Sequence, residues 1–475
     1  MAGRTRAAHA SQGALRGRGH PHPRAPAGQL GRRRVGVPLT TDTAKGGTSG
    51  APVRQATFRQ VFAVREFRAL FGTFLLSAAG DELARVALTV LVYARTESPL
   101  LAALTFAIGY LPWLLGGPLL SALADRFPRR EVLIATDLAR AALVALMALP
   151  GVPLWLLLFL LFVVGLCAPP FESARSALMT DVLDDDRYAV ATSIVGSTVQ
   201  LAQVGGFLAG GALLLVFSPS TALLVDAATF LISAVWLGAR LQRRPAPAAA
   251  DDATGPPSLW QDALAGLRLV RGTPRLLAII GVVWLGTGFL YAPEGIAAPL
   301  ADELGGGPTA VGVLLAANPL GLTIGGLGIA RLVPPHHRER LVEPLVVLSL
   351  AAVLASGLVA VLAGPGPSTY WTVVALLFVS GLGGAWTIPL NVAFVQAVPR
   401  AYRGRAFGVA VSGIAGIQGI GALASGLAAE AVGPSMVVAL AGGLGMIALA
   451  PVLWAYRGTR IQAPATVDAE GASRE

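Results

Sequence analysis

The residues best able to do chemistry are a few ionisable groups set inside long apolar runs. Asp81, Glu82 and Arg85 fall in one run, Glu172 and Arg175 in another, Asp226 in a third and Glu294 in a fourth. A charged side chain at membrane depth costs about 2.5–3.5 kcal/mol on insertion scales, so each is a functional candidate. Asp81 and Arg85 are four apart with the acid first, which favours an intrahelical ion pair. Glu172 and Arg175 are three apart and are expected to pair as well, and Asp226 reads as a structural ion-pair residue. Glu82 points about 100° away from Asp81 and has no partner on its own helix. Burial without a partner favours the protonated carboxyl, the property a proton carrier needs. Glu294 lies in Tyr291-Ala-Pro-Glu-Gly295, where Pro and Gly predict a broken helix facing a site. Glu82 and Glu294, followed by Asp81, are therefore the proton-coupling candidates.

A second set of side chains suits recognition of a small molecule. Tyr110, Trp113, Phe171, Phe289, Tyr291 and Trp386 can wall an apolar, aromatic cavity, and Gln203 and Asn391 can orient a polar group of its occupant. No Gly-x-x-x-x-Gly-Lys-Ser/Thr loop is present, so ATP drive within the chain is not expected. No His/Cys cluster has metal spacing, and no catalytic constellation is recognisable, so neither cofactor, metal nor enzyme activity is expected. His336 and His337 read as solvated loop residues. Cys167 is the single cysteine, which excludes an intramolecular disulfide, and it reads as a packing residue.

These groups must be positioned by helices in lipid. The chain has 475 residues, 54% hydrophobic and 13% charged, against about 25% charged in soluble domains. A membrane-crossing helix needs about 20 mostly apolar residues. Such runs lie near 67–93, 98–122, 131–150, 153–178, 188–216, 219–239, 276–300, 308–332, 342–363, 369–396, 404–429 and 434–456. The fold expected is an all-α membrane protein with twelve transmembrane helices in two six-helix bundles. The domain plan is a disordered basic tail at 1–60, a six-helix bundle at 61–240, a cytoplasmic linker at 241–275, a second bundle at 276–457 and a tail at 458–475. Residues 259–271 read as a short amphipathic surface helix. Most arginines fall in alternate loops, with Arg95 the exception, which places both termini in the cytoplasm. The N-terminal tail has no apolar core of a signal peptide. Its arginines suit anionic lipid rather than nucleic acid. The halves echo each other: Gly206-Phe-Leu-Ala-Gly210-Gly211 in the fifth run matches Gly421-Ala-Leu-Ala-Ser425-Gly426 in the eleventh. Likewise Pro170 precedes Glu172 in the fourth run as Pro389 precedes Asn391 in the tenth.

After the second run comes Gly116-Gly117-Pro118-Leu-Leu-Ser121-Ala-Leu-Ala-Asp125-Arg126-Phe-Pro128-Arg129-Arg130. This resembles the loop signature of the major facilitator superfamily, with Ser121 and Pro128 in place of glycines. Phe67-Arg68, Ser77-Ala-Ala-Gly80-Asp81, Tyr110-Leu-Pro112, Asp137-Leu-Ala-Arg140, Leu224-Val-Asp226-Ala-Ala-Thr-Phe230 and Arg403-Gly404-Arg405-Ala-Phe407 are similar to its drug-efflux branch of macrolide and siderophore exporters. The fifth-run glycines resemble an antiporter signature, with Phe207 in place of its proline. The resemblance implies a multi-pass plasma- or inner-membrane exporter of a small amphipathic or hydrophobic compound, driven by proton antiport and alternating access. Nutrient uptake, or a membrane sensor without transport, stays open as the alternative. The implied partners are the substrate, protons and the lipid bilayer, without nucleic acid, and a monomer is expected. The resemblance also gives Asp125, Arg126, Arg129 and Arg130 an inner-gate role. Asp125 would cap a helix, and the arginines would pair with Asp181, Asp184, Asp185 or Asp186.

Overall fold

The computed structural model describes residues 57–115, 127–245, 259–399 and 402–461. Asp125 and Arg126, the tail before residue 57, residues 246–258 of the linker and the tail beyond 461 lie outside these. Each of the twelve apolar runs contains a helix, and no strand occurs among the described residues. The long helices are α1 (Arg65–Thr96), α2 (Pro99–Leu115), α3 (Arg129–Met147), α4 (Leu154–Val182), α5 (Asp185–Leu213) and α6 (Pro219–Arg240). The second half supplies α7 (Pro274–Gly295), α8 (Pro308–Leu332), α9 (Val342–Ala363), α10 (Pro367–Ala397), α11 (Arg403–Val432) and α12 (Pro434–Ile461). Eight of them, α4 and α6 to α12, are long and apolar enough to cross a membrane. Of the others, α2 is apolar but shorter over Pro99–Trp113. α1 and α3 carry charges midway, and α5 is polar at its start and along its length.

Large apolar side chains face outward along these helices. Leu332, Leu362 and Trp454 are 82%, 83% and 79% exposed. In water these would be costly surfaces, whereas lipid solvates them; the backbone polar groups are satisfied within the helices. Three helices are broken where proline removes a donor and crowds the preceding turn. α4 breaks at Cys167, before Pro169 and Pro170. α10 breaks at Ala385 and Trp386, before Pro389. α7 breaks at Tyr291, just before Pro293, and again at Ile296, and Ala297–Glu303 continues it. The breaks in α4 and α10 fall at the repeated Pro positions of the two halves.

Consecutive helices alternate in direction, and the bundle's ends differ in chemistry. One end gathers arginine pairs: Glu66–Arg244 (2.7 Å), Arg129–Asp181, Arg275–Glu339 (3.1 Å) and Arg457–Glu343 (3.4 Å). The opposite end holds Arg95 on the Val152 carbonyl (3.0 Å), Tyr93 donating to Asp302 (3.3 Å) and Ser98 donating to Glu430 (2.5 Å). Between the halves, α2 packs along α11 and α5 along α8. At the second crossing, Gly211 and Gly312 meet backbone to backbone, where a Cβ on either would collide with the other helix. Small residues are the usual means by which membrane helices come this close.

Two expectations are corrected here. The folded part begins before residue 61: Phe58–Phe62 is helical, opened by Gln60 capping the Thr57 amide (2.8 Å). Val61 is buried, and the Phe62 ring meets Phe67 and Phe71 edge-on. The aromatic spacing anchors the segment despite its basic surroundings. The C-terminal helix runs to Ile461, past the expected boundary at 457. Leu259–Gly272 is helical as expected and lies against the start of α11, with Gly266 on the Arg405 backbone.

Candidate substrate and proton site

A cavity of about 280 Å3 lies within the first half and is walled by α1 to α6. α1 contributes Asp81, Glu82 and Arg85; α3 contributes Arg140; α4 contributes Phe171 and Glu172; α6 contributes Asp226. Phe106 and Trp113 of α2 and Gln203 of α5 complete the wall. The charges are brought together by close packing. Gly206 lets α5 approach α1 at Ala79 and Glu82, and Gly210 does so at Leu83 and Val86. Gly80 leaves room for the Asp226 carboxylate and the Thr229 hydroxyl of α6 against the α1 backbone.

Arg85 pairs with Glu82 (3.2 Å), and its guanidinium lies over the Phe106 ring at 5.3 Å. This corrects the expected Asp81–Arg85 pair. Asp81 makes no ion pair among the described residues, because Arg85 turns toward α2 and takes the carboxylate three residues back. Glu172 and Arg175 do pair, through a bidentate contact whose shorter arm is 2.5 Å, and Arg175 stacks over Phe74 at 4.2 Å. Asp226 is also corrected: it is 1% exposed, accepts from the Thr229 hydroxyl (3.3 Å) and has no ion-pair partner among the described residues. No arginine of its own helix lies within a turn of it.

Sequence reasoning did not weigh Asp137 and Arg140 of α3 as site residues. Asp137 is fully buried and accepts from Ser233 of α6 (2.5 Å), while its other oxygen has no partner. Arg140 is 5% exposed, held between the faces of Phe171 (4.9 Å) and Phe230 (5.4 Å), with Nε lacking a hydrogen-bond partner. Cation–π contacts of this kind are worth about 2 kcal/mol when desolvated. The available signal was two ionisable groups three apart inside an apolar run, the same signal that singled out α4.

The other sites are distributed more widely. Glu294 is buried on α7, outside this cavity, beside Asn318 in a crevice of about 10 Å3, and its Oε1 has no hydrogen-bond partner. Of the aromatic and polar set, Trp113, Phe171 and Gln203 line the cavity. Tyr110 packs on Phe106 (5.6 Å) beside α11. Trp386, Phe289, Tyr291 and Asn391 do not line it, which corrects that expectation. Trp386 is fully buried against Gly286 of α7, turned there by the break in α10. Phe289 packs on Gly445 of α12, and Tyr291 packs on the core that α7 shares with α8. Asn391 is exposed on the surface of α10. Of the gate arginines, Arg129 pairs with Asp181 and also donates to the Ala177 carbonyl (3.1 Å). Arg130 donates to the Gly238 carbonyl (2.5 Å). Both contacts join helices of one half, not the two halves to each other.

Lipid-facing helices around a charged, partly aromatic interior cavity define a polytopic membrane protein built to hold a small solute. The chain belongs to the Major Facilitator Superfamily, whose profile matches residues 70–342 and 294–474. It is 25% identical over 383 residues to the MFS-type transporter YfiS of Bacillus subtilis, covering 78% of this chain and 89% of that one. It is 21% identical over 360 residues to macrolide efflux protein A of Streptococcus pyogenes, covering 74% and 86%. Among solved structures, it is similar to the nucleoside transporter NupG at TM-score 0.63 and 13% identity, covering 82% of this chain and 99% of that chain. It is equally similar, at TM-score 0.63 and 15% identity, to an inward-facing bacterial homologue of the lysosomal transporter Spinster, covering 86% and 100%. These likenesses establish the fold. The protein is thus a multi-pass membrane transporter of small molecules.

Proposed function

We propose that the chain exports a small amphipathic or hydrophobic compound by proton antiport through alternating access. The observation that carries this reading is the cavity itself, where carboxyl groups and aromatic faces share one wall at membrane depth. Carboxyls there serve proton exchange, and Phe106, Trp113 and Phe171 suit an apolar solute. The direction rests on the relative that is a macrolide efflux protein. The protein acts as a monomer in the plasma or inner membrane with both termini cytoplasmic, the orientation the arginine bias supports.

The test is accumulation of a panel of fluorescent dyes and macrolides in cells with and without the protein. Cells with it should accumulate less of at least one compound, and a protonophore should erase the difference. Greater accumulation in those cells would reverse the direction to uptake. An unchanged difference with protonophore present would remove proton coupling.

A further inference from the structure

The ionisable groups described in and beside the cavity do not balance. Arg85 is committed to Glu82 and Arg175 to Glu172. In and beside the cavity Asp81, Asp137 and Asp226 remain, and among the described residues Arg140 is the only cation left to face them. Three carboxyls against one guanidinium leave an excess of two negative charges if all are ionised. An ion buried without a partner is costly enough that it neutralises instead.

We infer that Asp81 and Asp226, with Asp137 behind them and Arg140 as their counterion, form the proton-binding site of this transporter. The inference rests on the proton-antiport reading and deepens it by naming the carrier. The geometry supports it at each point. The Asp226 carboxylate lies against Gly80, the residue preceding Asp81, and both acids open on the same cavity. Arg140 reaches that cavity from α3, one turn from Asp137, without an ion pair and with Nε unpartnered. Phe171 and Phe230 clamp its guanidinium, so its charge stays central while the carboxyls around it gain or lose protons.

The neighbouring groups do not supply the missing charge. On α1, Glu82 is tied to Arg85, and on α4 Glu172 is tied to Arg175. Tyr110 of α2 and the Cys167 thiol at the α4 break are neutral. From the second half, Glu294 brings a further acid rather than a base. Protons from the water phase are then the simplest means of neutrality, and a change in Arg140's share among the three acids is the means of release. The site joins α1, α3 and α6, so proton occupancy bears on how these helices pack.

Two measurements test this, on the full-length protein. The first uses proteoliposomes and a panel compound that the wild type concentrates. Asp81→Asn and Asp226→Asn should lose accumulation driven by a pH gradient while keeping exchange of labelled for unlabelled compound at equal pH. The second is independent of transport. Purified wild type should show an infrared carbonyl band of protonated carboxyl, weakened in Asp226→Asn and in Asp137→Asn. Thermal stability should match wild type in each, because amide and protonated carboxyl are nearly isosteric. The inference is overturned if all three asparagine variants keep both the band and gradient-driven transport. Loss of coupling in Glu294→Gln alone, with the three aspartate variants intact, overturns it as well. Should the wild type show no gradient-driven transport, the antiport reading fails, and the infrared result alone decides whether the acids bind protons.

Discussion

At the residue scale, the outcome turns on which guanidinium each carboxyl reaches. Glu172 and Arg175 were legible as a pair because their spacing admits little else, and the contact forms. Removing Arg175 leaves the half-buried Glu172 without its partner, at a cost below the about 3–5 kcal/mol of a fully buried pair. Arg175→Met should therefore lower the thermal stability of the detergent-purified protein, and adding Glu172→Gln should restore most of it. A double variant no more stable than the single one would show that Arg175 acts through its stacking on Phe74. Asp81 and Arg85 were less legible. The sequence reading gave Arg85 to Asp81 and left Glu82 without a partner, yet spacings of three and four are both close on a helix, and the pair forms with Glu82. The choice is made by what lies opposite: Phe106 draws the guanidinium toward α2, and Asp226 approaches from α6. Neither neighbour is visible in the spacing of α1 itself. The same holds for Trp386, an aromatic in the right kind of segment whose direction depends on a helix break.

At the element scale, proline made the break in α7 legible, since its effect on the helix ladder is local; the prolines of α4 and α10 were read only as an echo between the halves, and their breaks were not foreseen. Helix-to-helix seams were only half legible. The glycines of the fifth run read as a repeat and as an antiporter-like signature, not as a packing plan in which Gly206 and Gly210 serve α1 while Gly211 serves α8. The difference has a measurable consequence. Gly211→Leu should let the chain reach the membrane at near-normal levels yet lose most transport, because α5 is pushed off α8 where the halves meet. A variant with wild-type transport would mean that this seam tolerates several ångströms of separation. Phe58–Phe62 was hidden for a compositional reason: a short aromatic anchor sits directly after an arginine-rich stretch, and the charge count dominated the reading.

At the scale of the whole molecule, the long apolar helices were the most legible feature, because membrane thickness imposes their length on any chain; the arginine bias leaves the orientation to be tested. Reporter fusions should place both termini and the loop at 240–275 in the cytoplasm; a periplasmic signal from that loop would overturn the division into two halves. The location of the cavity, wholly in the first half, was not legible, since it depends on how six helices pack. Contacts at the two ends differ in another respect. The arginine pairs at one end each brace helices of the same half. Ser98–Glu430 and Tyr93–Asp302 at the other end join the halves. Glu430 also accepts from the Leu100 amide (3.2 Å), so a side chain of α11 caps the first turn of α2. Such a cap is worth about 1 kcal/mol. Glu430→Ala should expose the cavity more often toward that end. In a Cys167→Ala background, a thiol placed by Thr105→Cys should then label faster from outside the cell, and an unchanged rate would discount the cap.

That arrangement separates stiffness from motion. Ion pairs brace each half internally, while the joint between halves is held by the packed faces of α2 on α11 and α5 on α8 with few ionic contacts. Salt that screens surface pairs would then soften the two arms and spare much of the joint. Raising ionic strength should lower the melting temperature more than it alters the balance between open and closed arrangements.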